Sequence, residues 1–311
     1  MGKLLVFGHQ KPDTDTIASA IATSYLINEL SYEAEPVALG KPNSETSYAL
    51  DYFKLDAPRV VETVADEVDA VVLVDHNEAQ QSVSDINKVK VKAVIDHHRI
   101  ANFETADALY YRAEPLGSTA TILLKLFREY EVKLPADIAG ILLSAVISDT
   151  LLLKSPTCTP EDVRAAEELA EIAGVSIDEY GMAMLKAGTN IADKSAVEIL
   201  NDDAKSFKMG DETIRIGQVN VVDTGDVLYR KNDILEAMRE ESKENDYHLY
   251  VLLITDIIES NSVAIVDGVG YRQFEMAFNK PIQLNTVELE NVVSRKKQVI
   301  PPLTDIFNKN K

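Results

Sequence analysis

Apolar positions in the first half of the chain fall into two patterns. Residues 3–8, Ala70–Val74 and 91–95 are short, nearly uninterrupted apolar runs bounded by polar turns. Runs of that kind predict strands covered on both faces, hence a parallel sheet. Residues 35–39 add a short strand, and 110–111 a further one. Between them, apolar residues at helical spacing predict helices over 16–30, Ser44–Phe53, 117–130, 135–148, 159–173 and 176–186. Thr14 or Asp15 is placed to cap the first of these. The pattern changes after the polar, glycine-containing stretch 187–193. Residues 207–209, 214–222, 247–256 and 262–267 read as strands, and 225–243 as one strong helix. The chain is therefore expected to be α/β. Its N-terminal domain (1–188) has a mostly parallel sheet flanked by helices, a hinge linker spans 189–195, and a smaller mixed α/β domain spans 196–311.

With 31 basic and 51 acidic residues the 311-residue chain carries a formal charge of −20. So acidic a surface repels phosphate backbones and speaks against a long nucleic acid as partner. The absence of tryptophan and an aromatic content of only 6% leave little for base stacking. Cys158 is the one cysteine and has no partner for an internal disulfide, which fits a reducing cytoplasm. The apolar run near the start is too short for a signal peptide, and no run of 18 apolar residues points to a membrane.

Candidate chemistry is concentrated in four short segments: His9-Gln-Lys-Pro-Asp13-Thr-Asp15, Asp75-His76, Asp96-His97-His98 and Asp149-Thr150. Three follow predicted strands directly, and residues past the carboxyl ends of neighbouring strands meet in one crevice of an open α/β sheet. Pro12 argues against a helix through its segment, so His9, Asp13 and Asp15 are expected on a loop, with Asp13 and Asp15 pointing the same way. Taken alone, the segment reads equally as a strand-to-helix turn with Asp15 as cap. Two adjacent histidines after an acid at a buried strand end are harder to place without partners. The four charges of Asp13, Asp15, Asp75 and Asp149 match two divalent cations, and a water between such ions ionises near neutral pH. Mixed imidazole and carboxylate ligands suit Mn2+, Co2+ or Zn2+ better than Mg2+.

These segments, His9-x3-Asp13-x-Asp15, Val71-Val72-Leu73-Val74-Asp75-His76 and Val94-Ile95-Asp96-His97-His98, resemble those of the DHH phosphoesterase superfamily. Within it the chain is similar over its full length to the manganese-dependent, or family II, inorganic pyrophosphatases. The resemblance implies that His9, Asp13 and Asp75 hold one Mn2+, and that Asp15, Asp75, His97 and Asp149 hold a second. Asp75 would then bridge, Co2+ could substitute, and Mg2+ would arrive with the substrate. It also implies that His98 contacts substrate or leaving group and that Asp96 orients its neighbours from behind. A metal-bridging hydroxide attacking inorganic pyrophosphate is the expected chemistry, in a homodimer joined through the N-terminal domains. The Ala70–Val74 strand supports that dimer only weakly, because it could equally be central.

Ser294-Arg295-Lys296-Lys297-Gln298 by itself reads as a solvated basic turn. Under the resemblance, Arg295, Lys296 and Lys205 become the cations that close over the phosphates from the C-terminal domain. Nuclease and cyclic-dinucleotide branches of the superfamily resemble one another in a Gly-Gly-Gly-His-type motif. No such run occurs here: the second half has His248 as its only histidine, and its nearest glycine-rich segment is Asp267-Gly268-Val269-Gly270. A short-chain polyphosphatase, or a metal-binding protein without catalysis, remains an alternative on residues alone.

Overall fold

The computed structural model describes residues 2–189 and 191–309; Asn190, within the expected linker, lies outside the described residues. The chain divides into two compact units, Met1–Gly188 and Thr189–Lys311.

The first unit runs β1 (Leu4–Phe7), α1 (Thr14–Glu29), β2 (Ala34–Ala38), α2 (Ser44–Phe53), β3 (Arg59–Val60), β4 (Ala70–Val74), β5 (Lys90–Asp96) and β6 (Tyr110–Ala113). Four helices follow: α3 (Thr119–Glu129), α4 (Ala136–Thr150), α5 (Pro160–Ala173) and α6 (Ile177–Thr189). The strands form one sheet in the order β3-β2-β1-β4-β5-β6, and every pairing in it is parallel. From β1 the chain winds outward to β2 and β3, then returns to place β4, β5 and β6 on the other side. The order therefore reverses between β1 and β4, and the crevice at their carboxyl ends is where such sheets bind ligands. β4 is central, so it offers no edge for a dimer contact.

The apolar runs are continuous because both sheet faces are covered. Leu5, Phe7, Val71, Leu73 and Val94 pack on one face with Val61, Val64, Val68 and Val83 from the connections. Helices α1 and α3 pack on the sheet strands as well. Each such fully buried side chain stabilises by about 1.5–3 kcal/mol. Residues 138–147 of α4 are buried on every side, because α1, α2, α3 and α5 surround that helix.

Two local readings are corrected. Asp13, not Thr14 or Asp15, caps α1: its backbone is extended and its carboxylate accepts the Thr16 N–H at 3.0 Å. Asp15 thus stands in the first helical turn instead of an extended loop, since Pro12 restrains only the residues up to the cap. Likewise Asp149 lies inside the last turn of α4, not beyond it.

The second unit contains α7 (Ala196–Asn201), β7 (Ala204–Met209), β8 (Glu212–Val221), α8 (Gly225–Leu228), α9 (Lys231–Asn245), β9 (Leu249–Asp256), β10 (Asn261–Gly268), α10 (Tyr271–Phe278), β11 (Thr286–Leu289) and α11 (Ile300–Lys309). Its sheet order is β11-β10-β9-β8-β7, with β8 and β9 parallel and the other pairs antiparallel. One face packs Val251, Leu253 and Val266 against Phe274, Leu303 and Phe307; the other packs Tyr250, Leu252 and Ile254 against Ile234, Leu235 and Met238. The single helix expected over 225–243 is two helices. Arg230 leaves helical geometry between them, and its guanidinium donates to the Lys194 carbonyl. No helix among the described residues is long and apolar enough to cross a membrane.

Candidate metal centre

All six candidate ligands of the first unit converge at the β1/β4 switch point. Asp75 immediately follows β4 with φ +56°, a left-handed conformation that Asp tolerates better than most residues. Its carboxylate is buried and faces two ways. Oδ2 lies 3.5 Å from His9 Nε2, and Oδ1 lies 3.4 Å from His97 Nε2. His9 Nε2 is also 3.3 Å from Asp13 Oδ2. Potential ligand atoms of His9, Asp13 and Asp75 form one close group, those of Asp15, His97 and Asp149 a second, and those of Asp75, His97 and His98 a third.

The segment Leu116–Ala120, at the start of α3, holds this centre in place. The Thr119 and Ala120 N–H groups donate to Asp15 at 2.7 and 3.2 Å, and Ser19 Oγ donates to the same carboxylate at 2.9 Å. Thr119 Oγ1 and Thr16 Oγ1 donate to the two oxygens of Asp75. The Leu116 carbonyl accepts from His97 Nδ1 at 3.0 Å, which fixes the ring with Nε2 toward Asp75. None of these partners was visible in the sequence. A helix-start threonine and a backbone amide carry no chemical signature until the fold brings them to a carboxylate.

Asp96 is fully buried. Its Oδ1 accepts from the backbone N–H and Nδ1 of His98, and its Oδ2 accepts from Asn77 at 2.6 Å. The His98 ring is half exposed and lines a cleft of about 430 Å3 with His9, Gln10, Lys11, Gln80 and Gln81. His76, also adjacent to Asp75, turns away: it is buried, its Nδ1 pairs with the Val74 carbonyl, and burial pushes its pKa down to about 4.

Electrostatics test whether the group suits cations. Burial and the Asp15 carboxylate push Asp75 up to about 7, and burial with Asp15 and Asp75 raises Asp149 well above the carboxylate range. Burial opposes charge on His97, but the Asp75 hydrogen bond and the charges of Asp15 and Asp75 outweigh it and lift the imidazole to about 9. His9 reaches about 9 through Asp13 in the same way, against the same opposing burial. Asp149 Oδ2 is buried with no hydrogen-bond partner. An orphaned carboxylate oxygen among crowded acids is expensive, and a divalent cation removes both penalties. The residues therefore fit metal ions, and their mixed donor set suits manganese.

The cationic candidates lie in the second unit. Lys205 is exposed on β7, and Lys296 is exposed in a π-helical turn, Arg295–Val299. Arg295 is buried. Its guanidinium donates to the Asp203 carbonyl, to the Ile216 carbonyl at 3.2 Å and to Asp203 Oδ1 at 2.9 Å. Ile216 is the register partner of Lys205, so Arg295 anchors the basic turn beside that lysine.

Two family models match the chain: the DHH family N-terminal domain over residues 3–146 and the DHHA2 domain over 182–306. The manganese-dependent inorganic pyrophosphatase of Bacillus subtilis is 56% identical over 305 residues, 98% of this chain and 99% of its own. The chain belongs to the manganese-dependent inorganic pyrophosphatases. A Lactobacillus acidophilus protein named probable manganese-dependent inorganic pyrophosphatase is 59% identical over 99% of this chain and its own full length. Among solved structures, a Methanococcus jannaschii protein assigned to the family II inorganic pyrophosphatases superposes with a TM-score of 0.61. It is 41% identical, with 99% of this chain and 100% of that one covered. An exopolyphosphatase-related protein from Bacteroides fragilis shares the fold at 15% identity and a TM-score of 0.53, over 99% of this chain and 92% of that one.

Proposed function

We propose that this chain hydrolyses inorganic pyrophosphate to two phosphates at a two-manganese site. The observation that carries the reading is the buried Asp75 carboxylate, which turns one oxygen toward His9 and the other toward His97. His9, Asp13 and Asp75 would hold one Mn2+, and Asp15, Asp75, His97 and Asp149 the other, with Co2+ as an alternative. Such a pair would supply a hydroxide nucleophile at neutral pH and Lewis acidity toward phosphoryl oxygens.

The protein's own part is positioning and charge. His98, fixed by Asp96 and facing the cleft, donates to substrate or leaving group. Lys205 and Lys296 supply positive charge to phosphates accompanied by Mg2+, and closure of the second unit about residues 189–195 brings them there. Arg295 acts at the same place, exchanging Asp203 for phosphate oxygens or holding the basic turn that does. Family membership supports this reading, as does the exposure of both lysines. A homodimer through the first unit, whose sheet edges are β3 and β6, and a cytoplasmic location complete the proposal.

The test is phosphate release by chelator-stripped protein, reloaded with Mn2+ and then given Mg2+ and pyrophosphate. Mn2+-dependent release that disappears in Asp75→Ala supports the proposal. Silence on pyrophosphate with turnover of a phosphodiester would overturn the substrate.

A further inference from the structure

Glu45 belongs to none of the ligand segments, yet it touches two of them. It stands in the first turn of α2 and is partly buried. Its Oε1 accepts from Thr14 Oγ1 at 2.7 Å and from Ser148 Oγ at 2.5 Å. Thr14 lies between Asp13 and Asp15, and Ser148 directly precedes Asp149. One carboxylate oxygen therefore joins the start of α1 to the end of α4, the two helix ends that carry three of the candidate ligands. Thr14 Oγ1 is also 3.0 Å from Thr46 Oγ1 of α2, which strengthens the same connection.

A third segment meets Glu45. A Cβ built on Gly188, near the end of α6, would lie 2.9 Å from Glu45 Cβ and 3.1 Å from Oε2. Only a glycine lets that helix end approach so closely. The last turn of the first unit is thus packed against Glu45.

We propose that Glu45 is a positioning residue for the metal centre: it sets the spacing between the Asp13–Asp15 segment and Asp149, and the end of α6 bears on it through Gly188. The inference rests on those aspartates holding the ions. The ordinary role of an acid in a first helical turn is a favourable charge at the helix N-terminus, worth about 0.3–1 kcal/mol. That role would be lost equally in Glu45→Gln and Glu45→Ala, and neither change would alter metal affinity. Positioning makes a different demand. A Gln carbonyl oxygen can still accept from both hydroxyls, whereas Ala leaves them unjoined.

The experiment is Mn2+ titration of the full chain, reading free ion by its electron paramagnetic resonance signal, with thermal unfolding of the metal-free variants alongside. Glu45→Gln should bind Mn2+ within about three-fold of wild type, and Glu45→Ala about ten-fold or more weaker, as loss of a residue behind the ligands does elsewhere. Gly188→Ala keeps both hydrogen-bonding groups and improves helix propensity. It should nevertheless weaken Mn2+ binding, because a methyl group 2.9 Å from Glu45 Cβ displaces one of the two segments. Wild-type affinity in both Glu45→Ala and Gly188→Ala, or equal losses in Glu45→Gln and Glu45→Ala, would overturn the proposal. Absence of Mn2+ binding in the wild type would instead overturn the metal site itself.

Discussion

The carboxylate of Asp15 accepts the backbone N–H of Thr119 at 2.7 Å, although 104 positions separate the two residues. The contact ties the first helix to the start of α3, and the same short segment orients His97 and Asp75. Its position depends on Gly117, whose N–H donates to the buried Asp162 at 2.8 Å. A Cβ there would stand 2.8 Å from both Asp162 Oδ2 and Thr150 Cγ2. Gly117→Ala should therefore weaken Mn2+ binding about ten-fold or more while touching no ligand. Equilibrium dialysis against Mn2+ measures this, and unchanged affinity would show that the segment does not set the geometry.

Without metal, the centre should hold protons that manganese displaces. His9 and His97 are lifted to about 9, so both are protonated at pH 7, and Asp75 at about 7 is partly protonated. Binding should release two or more protons at that pH. Calorimetric enthalpies of Mn2+ binding should then scale with the ionisation enthalpy of the buffer, and equal enthalpies in phosphate-free buffers of different ionisation heat would contradict this.

The same shifts give a stability profile. Each folded-state pKa lies above its unfolded value of about 6.5 for His and about 3.9 for Asp. The stabilisation linked to each proton is complete below the unfolded value and is lost as pH rises through the folded one. Chelated protein should accordingly melt at lower temperature at pH 9.5 than at pH 6. With saturating Mn2+ the decline should be smaller or reversed, because the ions replace the protons. A metal-free melting temperature that rises over this range would be the contrary result.

Arg295 and Lys296 are neighbours with different burdens. Arg295→Ala removes the three hydrogen bonds that the buried guanidinium donates to Asp203 and Ile216 and should reduce unfolding free energy by about 2 kcal/mol as well as lowering turnover. Lys296 is exposed, so Lys296→Ala should alter stability by less than about 0.5 kcal/mol and act on turnover, by about 10²-fold or more. Urea unfolding paired with phosphate release separates the two effects.

Much of this arrangement was legible in the chain. Val71–Val74 and Val94–Ile95 announced buried parallel strands, and the acids and histidines at their ends marked the crevice. What stayed hidden depended on contacts made across the fold. Asp13 took the cap because its own backbone, just after Pro12, is extended, a choice that Asp15 could have made equally well on composition. The split at Arg230 has no proline or glycine to signal it; a side-chain bond to Lys194 accompanies it instead. Thr16, Thr119 and Glu45 are ordinary residues for helix starts, and only the positions of Asp75 and Ser148 give them a part in the centre. Arg295, in a segment that by itself reads as a solvated basic turn, is buried and engaged by Asp203 and Ile216.

Asp75 is proposed to serve two ions at once. The most direct measurement counts Mn2+ per chain by equilibrium dialysis and records the electron paramagnetic resonance spectrum of the bound metal, in wild type and in Asp75→Ala. Two tightly bound Mn2+ per chain with a spin-coupled spectrum, and loss of that coupling in the variant, is the predicted result. A single uncoupled Mn2+ in the wild type would contradict it.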